Sequence, residues 1–108
     1  MPTTTITIWD LPLAGCMVKE RKKVKKTNKV RWRGRYTSAC VHFAEAQWPF
    51  RESWQTYNPI RMAQGKKSKP PLTLDKDSGT EWEYNYYCGD CPDVIIKNGG
   101  GAYIIISD

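Results

Sequence analysis

Cys88-Gly89-Asp90-Cys91 and Cys40-Val41-His42 are the residues whose types and spacing come nearest to metal chemistry. A C-x2-C turn aims two thiolates at one point, and residues at i and i+2 of a strand share a face. Together Cys40, His42, Cys88 and Cys91 would form a Cys3His set, the tetrahedral donor arrangement that suits structural Zn2+. Cys16 stands as the substitute for His42 in that set. The competing reading makes Cys40 and Cys88 core residues, since free cysteine is among the most buried side chains, with His42 an ordinary core or surface histidine. With one C-x2-C rather than two, spacing does not choose between them.

Other chemistries fit less well. A thiol oxidoreductase sets its C-x2-C at a helix N-terminus, which lowers the thiol pKa. Here Pro92-Asp93 leads into the β-rich Val94-Ile95-Ile96, and Asp90 between the thiols acts in the opposite direction. A zinc deaminase needs H-x-E and P-C-x-x-C. Glu45 follows His42 by three residues, and no proline precedes Cys88. Asn98-Gly99-Gly100-Gly101 lacks the Lys-Ser/Thr of a phosphate-binding loop and reads as a hairpin turn. No spacing supports a nuclease built on His42 with Glu45 or Glu52 and an arginine. The chain is read as non-catalytic.

The most legible feature is cationic. Between Lys19 and Arg35 stand ten basic residues, Lys19, Arg21, Lys22, Lys23, Lys25, Lys26, Lys29, Arg31, Arg33 and Arg35, with one acid, Glu20. Like charges at this density repel unless an outside anion relieves them. Phosphate backbones do so by releasing condensed counterions, which makes affinity fall steeply with salt. Three arginines at alternate positions of a strand lie about 6.6–6.8 Å apart, near the phosphate repeat of a nucleic-acid strand. Lys66, Lys67 and Lys69 extend the same surface if their segment lies beside it, and exposed Tyr or Trp would stack on unpaired bases. Alternatively, if the arginine strand pairs with residues 80–88, its guanidinium groups face Glu81 and Glu83 and are neutralised within the fold. Two glutamates leave most of the ten cations unmatched.

The elements that must carry these residues follow from periodicity. Thr3 to Trp9 is β-rich, with Ile6 and Ile8 on one side, and Asp10–Gly15 closes it. Val30-Arg31-Trp32-Arg33-Gly34-Arg35-Tyr36 alternates cleanly, which turns Val30, Trp32 and Tyr36 toward a core and the arginines outward. Thr27-Asn28-Lys29 reads as a turn, so residues 17–36 are predicted to form a basic β-hairpin, its first arm also compatible with helix. Ala39 to Phe43 continues in β character. Pro49 opens a short helix with Phe50, Trp54 and Tyr57 on one face, stopped by Asn58-Pro59. Residues 64–80 form a long polar loop. Thr80 to Cys88 alternates, with Trp82, Tyr84, Tyr86 and Cys88 opposite Glu81 and Glu83. Val94–Ile96 and Ala102–Ile106 are the arms of a final hairpin. The expected fold is a single α+β domain over 1–108, a small and predominantly antiparallel sheet of about five strands with one short helix.

Composition agrees with one modest core. The chain has 108 residues, 40% of them hydrophobic, with 5 Trp, 6 Tyr and 2 Phe. Its net charge of +6 hides a polarity: up to Pro71 there are fifteen Lys/Arg against four Asp/Glu, and from Leu72 two against seven. No apolar run approaches the roughly 18 residues of a membrane span. Leu13-Ala14-Gly15-Cys16 resembles a lipoprotein cleavage box, but the residues before it are Thr-rich, carry Asp10 and Pro12, and include no Lys or Arg. The chain therefore reads as intracellular, cytoplasmic or within the host cell of a virus or phage, with its cysteines reduced or metal-bound. Nucleic acid, RNA or single strands before duplex, is the expected partner. The alternative is a phage- or viral-type accessory or assembly protein whose basic face grips or inhibits an acidic protein.

Overall fold

The computed structural model describes residues 2–92 and 101–108, and these contain nine strands in two mixed sheets. The first sheet is built on β1 (Thr3–Leu11) and β4 (Lys29–Arg35), which run parallel in register from Thr3 opposite Lys29 to Trp9 opposite Arg35. The period-2 pattern sends Ile6, Ile8, Val30, Trp32 and Gly34 inward and leaves threonines and arginines outside. β2 (Gly15–Val18) pairs with β1, and β7 (Leu72–Thr73) with β4, both antiparallel. The second sheet runs in the order β3 (Arg21–Lys25), β9 (Ala102–Ser107), β8 (Glu81–Cys88), β5 (Ala39–His42) and β6 (Ile60–Met62).

Both inner faces share one core. Trp32 lies at its centre, fully buried, with Phe43, Phe50 and Tyr84 meeting it edge-to-face at centroid distances of 5.8, 6.1 and 5.4 Å. Such pairs add about 0.5–1.5 kcal/mol each beyond the area they bury. Burial pushes the Tyr84 hydroxyl well above its ordinary pKa. Val24, Ala102, Ile104 and Ile106 close the core from the second sheet.

The basic hairpin expected over 17–36 does not form. β3 and β4 are joined by a tight turn, with Asn28 N–H donating to the Lys25 carbonyl, but they enter different sheets. β3 pairs in parallel with β9, from Arg21 opposite Tyr103 to Lys25 opposite Ser107. A hairpin would have set lysines opposite arginines along one ladder, and like charges directly opposite are destabilising. Dividing the strands spreads the charge and lets Val24 and Val30 enter the core from different sheets. This division also replaces the expected antiparallel sheet with two mixed ones.

Other departures share a cause in tertiary packing. Phe50 is not helical; it is buried in extended chain and bridges to Leu74, so the helix shrinks to one turn, α1 (Trp54–Tyr57), preceded by a 3-10 turn at Glu45–Gln47. Asn58-Pro59 does end it, with the Asn58 side chain accepting from the Phe43 N–H at 2.8 Å. The polar stretch 64–80 is largely stitched to β4, and its Leu72 and Leu74 are buried. The expected second arm of a final hairpin, Ala102–Ile106, lies in β9, whose two edges are taken by β3 and β8, while the expected first arm, Val94–Ile96, and the turn at 98–100 lie outside the described residues.

The cysteines correct the zinc expectation. Cys88 is bonded to Cys16, joining the two sheets, and Cys40 to Cys91, with Cα separations of 5.7 and 5.2 Å. No cysteine is free. A sulfur in a disulfide is not a thiolate donor, so the set Cys40, His42, Cys88 and Cys91 holds no metal in this state. Among the described residues no group of three or more His, Cys, Asp or Glu is placed to hold one. The two sulfurs of the C-x2-C diverge to different partners. The bridges span 72 and 51 residues, and closing loops of that size stabilises by about 4 kcal/mol each in the chain-entropy account. Bridges of this kind persist in oxidising compartments, which removes the premise of the intracellular reading. Among the described residues no helix is long and apolar enough to cross a membrane.

Candidate nucleic-acid interface

The outer face of the first sheet carries a row of cations on β4, namely Lys29, Arg31, Arg33 and Arg35, repeating every second residue. Beside it in register stand Thr3, Thr5, Thr7 and Trp9 of β1. The Arg31 Nε donates to Thr5 Oγ1 at 3.1 Å, which fixes that half-buried guanidinium. Arg33 and Arg35 are exposed.

The lysines of the 64–80 segment are delivered to the other side of this row by backbone bonding. Gly65 N–H donates to the Gly34 carbonyl at 2.8 Å, and Gly34 N–H to the Lys66 carbonyl at 3.3 Å. Ser68 closes the clamp: its N–H donates to the Trp32 carbonyl at 2.7 Å, and its hydroxyl accepts from the Trp32 N–H at 2.9 Å. Ser68 is only 3% exposed, whereas Lys66, Lys67 and Lys69 point to solvent. Lys67 bridges directly to Arg33. A shallow hollow is lined by Arg33, Gly65, Lys66, Lys67 and Lys69. Among the described residues none of these seven cations is in an ion pair.

The other six predicted residues, Lys19, Arg21, Lys22, Lys23, Lys25 and Lys26, belong to β3 and its flanks. Here the neutralisation foreseen for the arginine strand is realised on a different strand. Arg21 forms an ion pair with Glu81, two strands away on the same sheet, and lies over the Tyr103 ring at 5.2 Å. Lys26 reaches Asp77 at 3.8 Å. The thirteen predicted positions thus fall on two surfaces rather than one.

Sequence reasoning missed Tyr36. Alternation assigned it to the core, but the strand ends at Arg35 and Gly34 takes the last inward place. Tyr36 has a φ of +65° and is 60% exposed, with the Arg35 guanidinium 5.1 Å from its ring centre. The close approach at Gly34 explains the exit: a Cβ there would collide with the Thr37 carbonyl. No local signal in the sequence marks a tyrosine for left-handed backbone.

Glu52 accepts from Thr73 N–H at 2.8 Å and from Thr73 Oγ1 at 2.9 Å, tying Thr73 of β7 in place. His42 lies opposite Asn85 in the β5–β8 ladder, and burial lowers its pKa, which keeps the imidazole neutral near pH 7. Compared with known proteins, the chain matches no family model, no curated protein and no solved structure.

Proposed function

We propose that this protein is a non-catalytic nucleic-acid-binding module that takes single strands, RNA included, in preference to duplex, and works in an oxidising compartment. The observation that carries the reading is the seven-cation surface of Lys29, Arg31, Arg33, Arg35, Lys66, Lys67 and Lys69, which no carboxylate opposes among the described residues. Strand-borne arginines at about 6.6–6.8 Å match the spacing of successive phosphates. An open sheet face bordered by Trp9 and Tyr36 suits bases that are already unpaired. The six cations of β3 and its flanks add diffuse attraction.

The test is a titration with an oligonucleotide at rising salt. With seven phosphates engaged, the logarithm of affinity falls against the logarithm of salt with a slope of about −5 for a single strand. A flat response, or no retention on a phosphate column, overturns the proposal.

One observation favours the alternative of an acidic protein partner. Met17 is 37% exposed and stands opposite Trp9 in the β1–β2 ladder, and Leu13 at the hairpin tip is fully exposed. Apolar side chains beside a cationic field suit a protein interface as well. A stoichiometric protein band on purification, without absorbance at 260 nm, supports that reading.

A further inference from the structure

We infer that Tyr36 is a base-stacking platform, and that the depression beside it is a nucleotide subsite at the end of the cationic row. This deepens the nucleic-acid reading and rests on it. The first observation is conformational. A non-glycine residue in left-handed backbone is disfavoured, and a bulky aromatic held there over-determines its direction. The Tyr36 ring is driven outward by the fit of the Thr37 carbonyl against Gly34, and buried Thr37 is anchored by its hydroxyl donating to the Ser38 carbonyl at 2.6 Å. Packing therefore fixes an exposed aromatic whose ring no core requires.

The second observation is what surrounds the ring. Arg33, Arg35, Tyr36, Gln64 and Gly65 line an open depression of about 640 Å³, within the roughly 300–1,000 Å³ of small-ligand sites. Each side chain has a part that a nucleotide would use. Arg33 and Arg35 supply the charge for flanking phosphates. Gln64 offers an amide that both donates and accepts toward a base edge. Gly65 leaves its floor without a side chain. Arg35 already contacts the tyrosine ring, and a base on the ring's uncovered surface would extend that stack. A sulfated polysaccharide would use the cations and leave the ring idle, and this separates the two kinds of polyanion.

The experiment measures binding of a single-stranded oligonucleotide and of heparin to the wild type, Tyr36→Ala and Tyr36→Phe, across a salt series. Tyr36→Ala is expected to lose about 5- to 150-fold on the oligonucleotide, the cost of one stacked base. Heparin affinity and the salt slope stay within about two-fold of wild type, and Tyr36→Phe stays close to wild type on both ligands. Salt-dependent oligonucleotide binding that is equal in wild type and Tyr36→Ala overturns the platform and leaves the function standing. Equal losses on oligonucleotide and heparin also overturn it. A wild type that binds neither ligand overturns the platform and the function together. Unchanged melting temperatures show that both variants fold.

Discussion

Two strands with four cations each, β3 with Arg21, Lys22, Lys23 and Lys25, and β4 with Lys29, Arg31, Arg33 and Arg35, lie in different electrostatic surroundings. β3 shares a sheet with β8 and so shares a face with Glu81 and Glu83; Arg21 is paired and Lys26 beyond it has Asp77. β4 shares its sheet with the threonines of β1 and borders the lysines of the 64–80 segment, so its neighbours add charge or leave it untouched. Charge counted along the chain therefore does not measure charge offered to a partner. Strand pairing decides which cations are compensated, and here it separates adjacent residues.

Substitutions on either strand test this separation. The largest effect expected is on the tie between the two sheets. Replacing Cys16 and Cys88 together by alanine removes the 72-residue bridge and should cost about 4 kcal/mol in denaturant unfolding. An unchanged midpoint would show that the sheets hold each other without it. Next in size is the charge itself. The triple change Arg31→Gln, Arg33→Gln, Arg35→Gln should lower the salt slope of oligonucleotide binding by about 2, one increment of roughly 0.7 per phosphate contact. The matched triple Arg21→Gln, Lys23→Gln, Lys25→Gln should lower it by less than about 1. Equal changes would erase the distinction between the strands. The smallest effect is at Glu81. Arg21 and Glu81 are 49% and 44% exposed, so Glu81→Gln should cost only a few tenths of a kcal/mol. It should nonetheless raise oligonucleotide affinity slightly by freeing Arg21. Weaker binding would mean that this carboxylate orients the guanidinium rather than masking it.

What the sequence made legible were the elements with strong local period. The alternation at Val30, Trp32 and the arginines, and that at Tyr84, Glu81 and Glu83, fixes which side chains face inward, and the structure agrees at each. Ile6 and Ile8 behave likewise. Pairing is a long-range property, and there local reasoning fails. Nothing near Val24 states that β3 will choose β9, some eighty residues away, over β4 next door. The disulfides escaped for a different reason, since an intracellular reading makes the four cysteines reduced or metal-bound and the C-x2-C points to a shared ligand. Of the candidate site, the cations themselves were readable, as was the prospect that Lys66, Lys67 and Lys69 join them. Tyr36 was not, because its direction depends on Thr37 packing against Gly34. Phe50 illustrates the complement: a helical spacing was present, but the aromatic cluster around Trp32 outweighed it.

The double hydrogen bond between Ser68 and the Trp32 backbone has a thermodynamic consequence. A lysine-bearing segment left loose would have to be ordered each time a ligand arrived, at about 0.5–1.5 kcal/mol for each immobilised side chain and more for backbone. Here the backbone of that segment is already hydrogen-bonded in place when the chain has folded, so association need only restrict the lysine tips. Removing the hydroxyl with Ser68→Ala would move part of that ordering back to the moment of binding, as a less favourable entropy of association with the number of charges unchanged.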